Sequence, residues 1–81
     1  MSDTIERVKI VTAEILKINL DQIMDNSKFI QDLGAESIQS IELVAAFEEE
    51  FDIEMDEDAA LAVKSIGDAV TFIDKVIVQQ K

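Results

Sequence analysis

Apolar residues recur along the first part of the chain at the spacing of a helix. Ile5, Val8, Val11, Ile15 and Ile18 share one face, and Glu6, Arg7, Glu14 and Lys17 lie away from it. This predicts a helix from about Asp3 to Ile18, with Asp3 and Glu6 at capping-box spacing. Ile10 falls off the stripe and is expected on the surface. From Asn19 to Glu36 the periodicity fades, and Asp25-Asn26-Ser27 supplies side chains that make local turns. An ordered loop is expected here, pinned to the core by Leu20, Ile23, Met24, Phe29, Ile30 and Leu33, with a short helical turn near Asp21 to Met24. Connections this long are uncommon in compact domains and are often functional.

Helical spacing returns over Ser37 to Phe51, where Leu43, Phe47 and Phe51 group toward one side. Ile38, Ile41 and Ala45 group on another, beside Glu42, Glu48 and Glu49. Either the helix is buried on two sides, or the second stripe is a small apolar contact ringed by carboxylates. Asp56-Glu57-Asp58 opens a short helix through Val63, with acidic residues at the favourable end of the helix dipole. It has little apolar surface to bury, so it is the element expected to move most easily. A last helix starts at Ser65, with Asp68 in a capping-box position, and buries Ile66, Ala69, Val70, Ile73, Val76 and Ile77. Gln79-Gln80-Lys81 is expected to fray. No strand pattern or internal repeat interrupts this reading, which is all-α, three main helices and one short one in a single domain over residues 1–81.

Composition narrows the function. With 81 residues, only about 60% of the unfolded surface is buried on folding, so the stability margin is small. The chain has neither cysteine nor histidine, nor tyrosine or tryptophan. It therefore lacks disulfides, thiolate metal sites and the usual nucleophile–base pairs of acyl transfer, and it is not expected to be an enzyme. Asp52-Ile53-Glu54-Met55-Asp56-Glu57-Asp58 has the acidity of a calcium loop, but the required glycine position is Glu57 and the closing glutamate position is Val63, so no metal site is assigned. No apolar run approaches the roughly 20 residues of a membrane helix, and Met1-Ser2-Asp3-Thr4 lacks secretory features, which predicts a cytoplasmic protein without membrane insertion.

The net charge is −11. Between Lys28 and Lys64 there is no basic residue, while Asp32, Glu36, Glu42, Glu48, Glu49, Glu50, Asp52, Glu54, Asp56, Glu57 and Asp58 fall in that interval. A run of this kind is often a merely solvating surface. Such a field repels nucleic acid and attracts basic protein surfaces, and complementary charge speeds encounter more than it adds affinity.

Within the acidic interval, Asp32-Leu33-Gly34-Ala35-Glu36-Ser37-Ile38 brings one serine to the start of a helix. Gly34, one of two glycines in the chain, marks a tight turn. A serine before an apolar-periodic run is usually an N-cap. Its hydroxyl at this place is also exposed beside free backbone N–H groups that favour a phosphate.

This segment, with Ile41-Glu42-Leu43-Val44 and Glu48-Glu49-Glu50-Phe51-Asp52, resembles the acyl carrier proteins of fatty acid and polyketide synthesis, and the likeness covers nearly the whole chain. In that family the serine of an Asp-Ser-Leu triplet carries 4′-phosphopantetheine, so the resemblance assigns covalent attachment to Ser37. It also implies that the helices form an antiparallel bundle of three main helices plus one short helix, and that partners dock through Glu36, Ile38, Ile41, Glu42, Ala45, Glu48 and Glu49. The partners implied are a phosphopantetheinyl transferase and basic-surfaced acyltransferases and synthases of fatty acid, lipid or polyketide biosynthesis, served by a monomeric carrier. Glu36, Ile38 and Gln39 replace the family's usual aspartate, leucine and acidic residue, which points to a specialised member. Two alternatives stay open: a peptidyl or aminoacyl carrier, and an acidic helical adaptor with no covalent group. The first is disfavoured because such carriers tend to have Gly-Gly where this chain has Gly34-Ala35.

Overall fold

The structure, a computed structural model, describes residues 3–55 and 63–80. Three helices account for most of them: α1 (Asp3–Leu16), α2 (Ser37–Phe51) and α3 (Ile66–Gln80), with one 3-10 turn at Leu20–Gln22. Among the described residues there is no strand, only an isolated antiparallel bridge between Lys28 and Ser65. The short helix expected through Val63 falls on positions 56–62, outside the described residues.

Each helix buries the stripe its sequence sets. Val8 and Val11 of α1, Leu43, Phe47 and Phe51 of α2, and Ile66, Ala69 and Ile73 of α3 are in the core. Ile5, Ile15 and Ile18 pack around its edge. Thr12 is also fully buried, a position absent from the apolar pattern; its hydroxyl donates to the Val8 carbonyl at 2.7 Å, so the polar group is satisfied within its own helix. α1 packs against both α2 and α3. The start of α1 lies beside the end of α2, which makes the pair antiparallel: Arg7 Nε donates to the Glu50 carboxylate at 2.9 Å and its guanidinium lies 4.4 Å from the Phe51 ring centre. Thr4 on α1 donates to Asp74 on α3 at 2.7 Å.

α1 ends at Leu16, two residues before the periodicity does. Lys17 takes a left-handed conformation (φ 57°), and the Ile18 N–H reaches back to the Ala13 carbonyl at 3.1 Å. α2 closes the same way: Asp52 has φ 54° and the Ile53 N–H bonds the Glu48 carbonyl at 3.0 Å. This is the Schellman closure, usually built on glycine, made here with lysine and aspartate. At the other end of α1, Asp3 is already helical rather than a cap before the helix. Ser65 does cap α3, accepting from the Asp68 N–H at 3.2 Å, while the Asp68 carboxylate reaches past it to the Lys64 N–H at 3.4 Å.

The long loop is ordered but pinned by fewer residues than its composition predicts. Ile23 and Phe29 are buried and Leu33 is half-buried, whereas Leu20, Met24 and Ile30 are exposed. Backbone bonding does the remaining work. The Phe29 N–H donates to the Lys64 carbonyl at 3.0 Å and the Ile66 N–H to the Ser27 carbonyl at 2.9 Å, stitching the loop to the start of α3. Lys9 on α1 adds an ion pair to Asp25.

Candidate functional site

The serine turn is built outward from Phe29. Its ring packs against Phe47 with centroids 6.3 Å apart, and its carbonyl accepts the Ala35 N–H at 2.8 Å. Ala35 is itself buried, so the chain is fastened to the core two residues before Ser37. Between these anchors, the Asp32 and Leu33 N–H groups both bond the Lys28 carbonyl, and the Asp32 carboxylate accepts the Lys28 N–H at 2.8 Å. The sequence places Asp32 among the acidic residues of the surface; the structure uses it to close its own loop. Gly34 then takes φ 74°, the left-handed conformation its lack of a side chain permits, with open space where a Cβ would stand.

Glu36, not Ser37, is the residue before α2: its backbone is extended (φ −87°, ψ 164°), and its N–H donates to Gln39 Oε1 at 2.8 Å. The first helical bond runs from the Ser40 N–H to the Glu36 carbonyl at 3.1 Å. Ser37 is therefore the first residue of the helix itself, which removes the reading of its hydroxyl as the cap. It is exposed, and among the described residues its hydroxyl has no hydrogen-bond partner. The N–H groups of the first turn lack partners within the helix and carry the positive end of the dipole. An exposed hydroxyl in that field, with space around it, fits a phosphate ester.

The remaining predicted positions run along α2 from this point. Ile38 and Ile41 are 65% and 71% exposed, and Ala45, Glu42 and Glu49 are exposed with them, opposite the buried Leu43, Phe47 and Phe51. The helix is thus buried on one side, and the second apolar stripe faces outward. Glu48 differs from its neighbours: it is half-buried, and its carboxylate accepts the Met55 N–H at 2.9 Å. That bond holds the segment leaving α2, in which Ile53 and Met55 are buried. Charge pattern alone gave no signal of this second role. Among the described residues no group of carboxylates is arranged to hold a metal ion, and no helix is long and apolar enough to cross a membrane.

Residues 6–73 match the family described as "Phosphopantetheine attachment site". The chain belongs to that family. The match runs from the first turn of α1 to the middle of α3, so it takes in most of α1, the serine turn, the whole of α2 and the first half of α3. The protein is a carrier of covalently attached 4′-phosphopantetheine, and carriers of this family work with phosphopantetheinyl transferases and biosynthetic enzymes.

Proposed function

We propose that the chain is an acyl carrier: a non-catalytic single domain over residues 1–81 that holds acyl groups as thioesters on an arm at Ser37 and passes them among cytoplasmic enzymes of fatty acid, lipid or polyketide biosynthesis. The observation that carries this reading is the exposed, unpartnered hydroxyl of Ser37 at the first position of α2, in a chain of the attachment family. The group supplies, when bound, the thiol that a sequence without cysteine lacks. Ser37 Oγ attacks the arm's phosphorus in a reaction run by a separate Mg²⁺-dependent transferase. Its proton passes to a base of the transferase or to solvent, and the bond from that phosphorus to the nucleotide half of coenzyme A breaks, releasing that half as adenosine 3′,5′-bisphosphate. The product is a phosphodiester, and the first-turn N–H groups of α2 favour its charge.

Glu36, Glu42 and Glu49 steer basic partner surfaces, with Ile38, Ile41 and Ala45 offering a brief apolar contact between them. Exposed pairs of this kind are individually weak, which suits a carrier that must leave each enzyme quickly. Glu48 contributes charge to the same face while retaining its bond to Met55. The lack of histidine, cysteine and tyrosine supports a carrier whose chemistry is supplied by partners.

Loading of purified protein separates this reading from its rivals. With coenzyme A and a broad transferase, the wild-type chain should gain the mass of the arm and Ser37→Ala should gain none. An acyltransferase should then charge the loaded protein, and amino-acid adenylation enzymes should not. Aminoacylation without acylation would make it a peptidyl carrier; unaltered function of Ser37→Ala in the host would make it an adaptor.

A further inference from the structure

A second feature lies around the side of α2 from the exposed apolar strip. A shallow groove of about 260 Å³ runs between α1 and α2, floored by Val11, Ile15 and Ala46 and rimmed by Glu14, Glu49 and Glu50. We propose that this groove receives a long cationic side chain, arginine or lysine, from the basic surface of an enzyme docked along α2. The inference rests on the carrier reading only in supposing that such enzymes dock there.

Two properties of the groove argue for that occupant. Its floor is aliphatic while its rim is acidic, which matches a side chain with an apolar stem and a charged head and suits neither a bare cation nor an acyl chain alone. The rim is also only partly used. Glu50 is engaged by Arg7 through Nε at 2.9 Å and through Nη2 to the Glu50 carbonyl at 2.6 Å, whereas Glu14 and Glu49 are exposed and have no ion pair or hydrogen bond among the described residues.

Arg7 shows the same chemistry within the chain, because its guanidinium lies over Phe51 as it bonds Glu50. An incoming arginine would share only the carboxylate pairing of that arrangement, its stem lying over the aliphatic Val11, Ile15 and Ala46 and its head between Glu14 and Glu49. Glu49 lies four residues after Ala45 and three after Ala46, so it borders both the outer strip and the groove. A partner reaching Ser37 along α2 passes this opening. Glu14 is the residue that assigns α1 a share in docking, which the α2 strip alone does not.

The test uses the apo protein and a monomeric helical peptide of leucine, alanine and arginine, followed by NMR. Saturable shifts are expected at Val11, Ile15 and Ala46. Replacing Glu14 and Glu49 together by glutamine should weaken binding about fivefold more than the charge-matched pair Glu6→Gln and Glu54→Gln, both exposed and away from the groove. Equal weakening by the two pairs, or shifts confined to Ile38, Ile41 and Ala45, would overturn the proposal. Because no arm is needed, a failure to load Ser37 leaves this result untouched, and the reverse holds as well.

Discussion

At the scale of single residues, the turn before α2 works because three positions hold incompatible demands apart. Gly34 bends the backbone, Ala35 buries itself and bonds Phe29, and Glu36 ends the extended segment, so Ser37 has no structural duty for its hydroxyl. Gly34→Ala tests the first of these. Nothing crowds the added methyl, so the cost is that of φ 74° alone, about 1 kcal/mol, which should lower the melting temperature by roughly 4–8 °C. An unchanged melting curve would show that the turn does not need the left-handed backbone. Glu48 offers a sharper contrast, since glutamine can still accept the Met55 N–H and alanine cannot. Amide exchange at Met55 should accelerate about tenfold in Glu48→Ala and change little in Glu48→Gln. Gly34 and Ser37 stood out in the sequence because one has a special backbone and the other a reactive group in a helical context. Glu48 and Asp32 did not, because a carboxylate in an acidic run looks the same whether it faces water or an N–H seven residues away or four.

At the scale of elements, the three helices were legible because each carries a buried stripe at a spacing only a helix supports. Their ends were less so. α1 stops at Leu16 through a left-handed Lys17, and no glycine announces the stop. The loop misled for another reason: Leu20, Met24 and Ile30 are apolar yet exposed, since backbone bonds to Lys28, Lys64 and Ser27 already hold the segment. The periodicity places Arg7 away from the apolar face, and its long side chain crosses to α2. Deleting it in Arg7→Ala should destabilise the protein by about 0.5–1 kcal/mol in denaturant titration, a modest figure because both partners are substantially exposed to water. A loss of several kcal/mol, or none, would mean that the α1–α2 junction is held differently.

At the scale of the whole molecule, the fold divides α2 lengthwise. One side carries the aromatic core with Phe47 and Phe51, the other presents Ile38, Ile41 and Ala45 among carboxylates, and Ser37 stands at the first position of the helix. The sequence disclosed this division only as a choice between two stripes, since periodicity tells which residues share a face and not what covers them. The net charge of −11 bears on how the outer stripe can stay exposed, because like-charged copies repel one another. The central claim is that Ser37, and no other residue, bears the arm. It is tested most directly by intact mass and peptide fragmentation of the protein isolated from its native host. The account predicts a 4′-phosphopantetheine phosphodiester on the peptide containing Ser37; protein that never carries it, or carries it on another residue, would contradict the account.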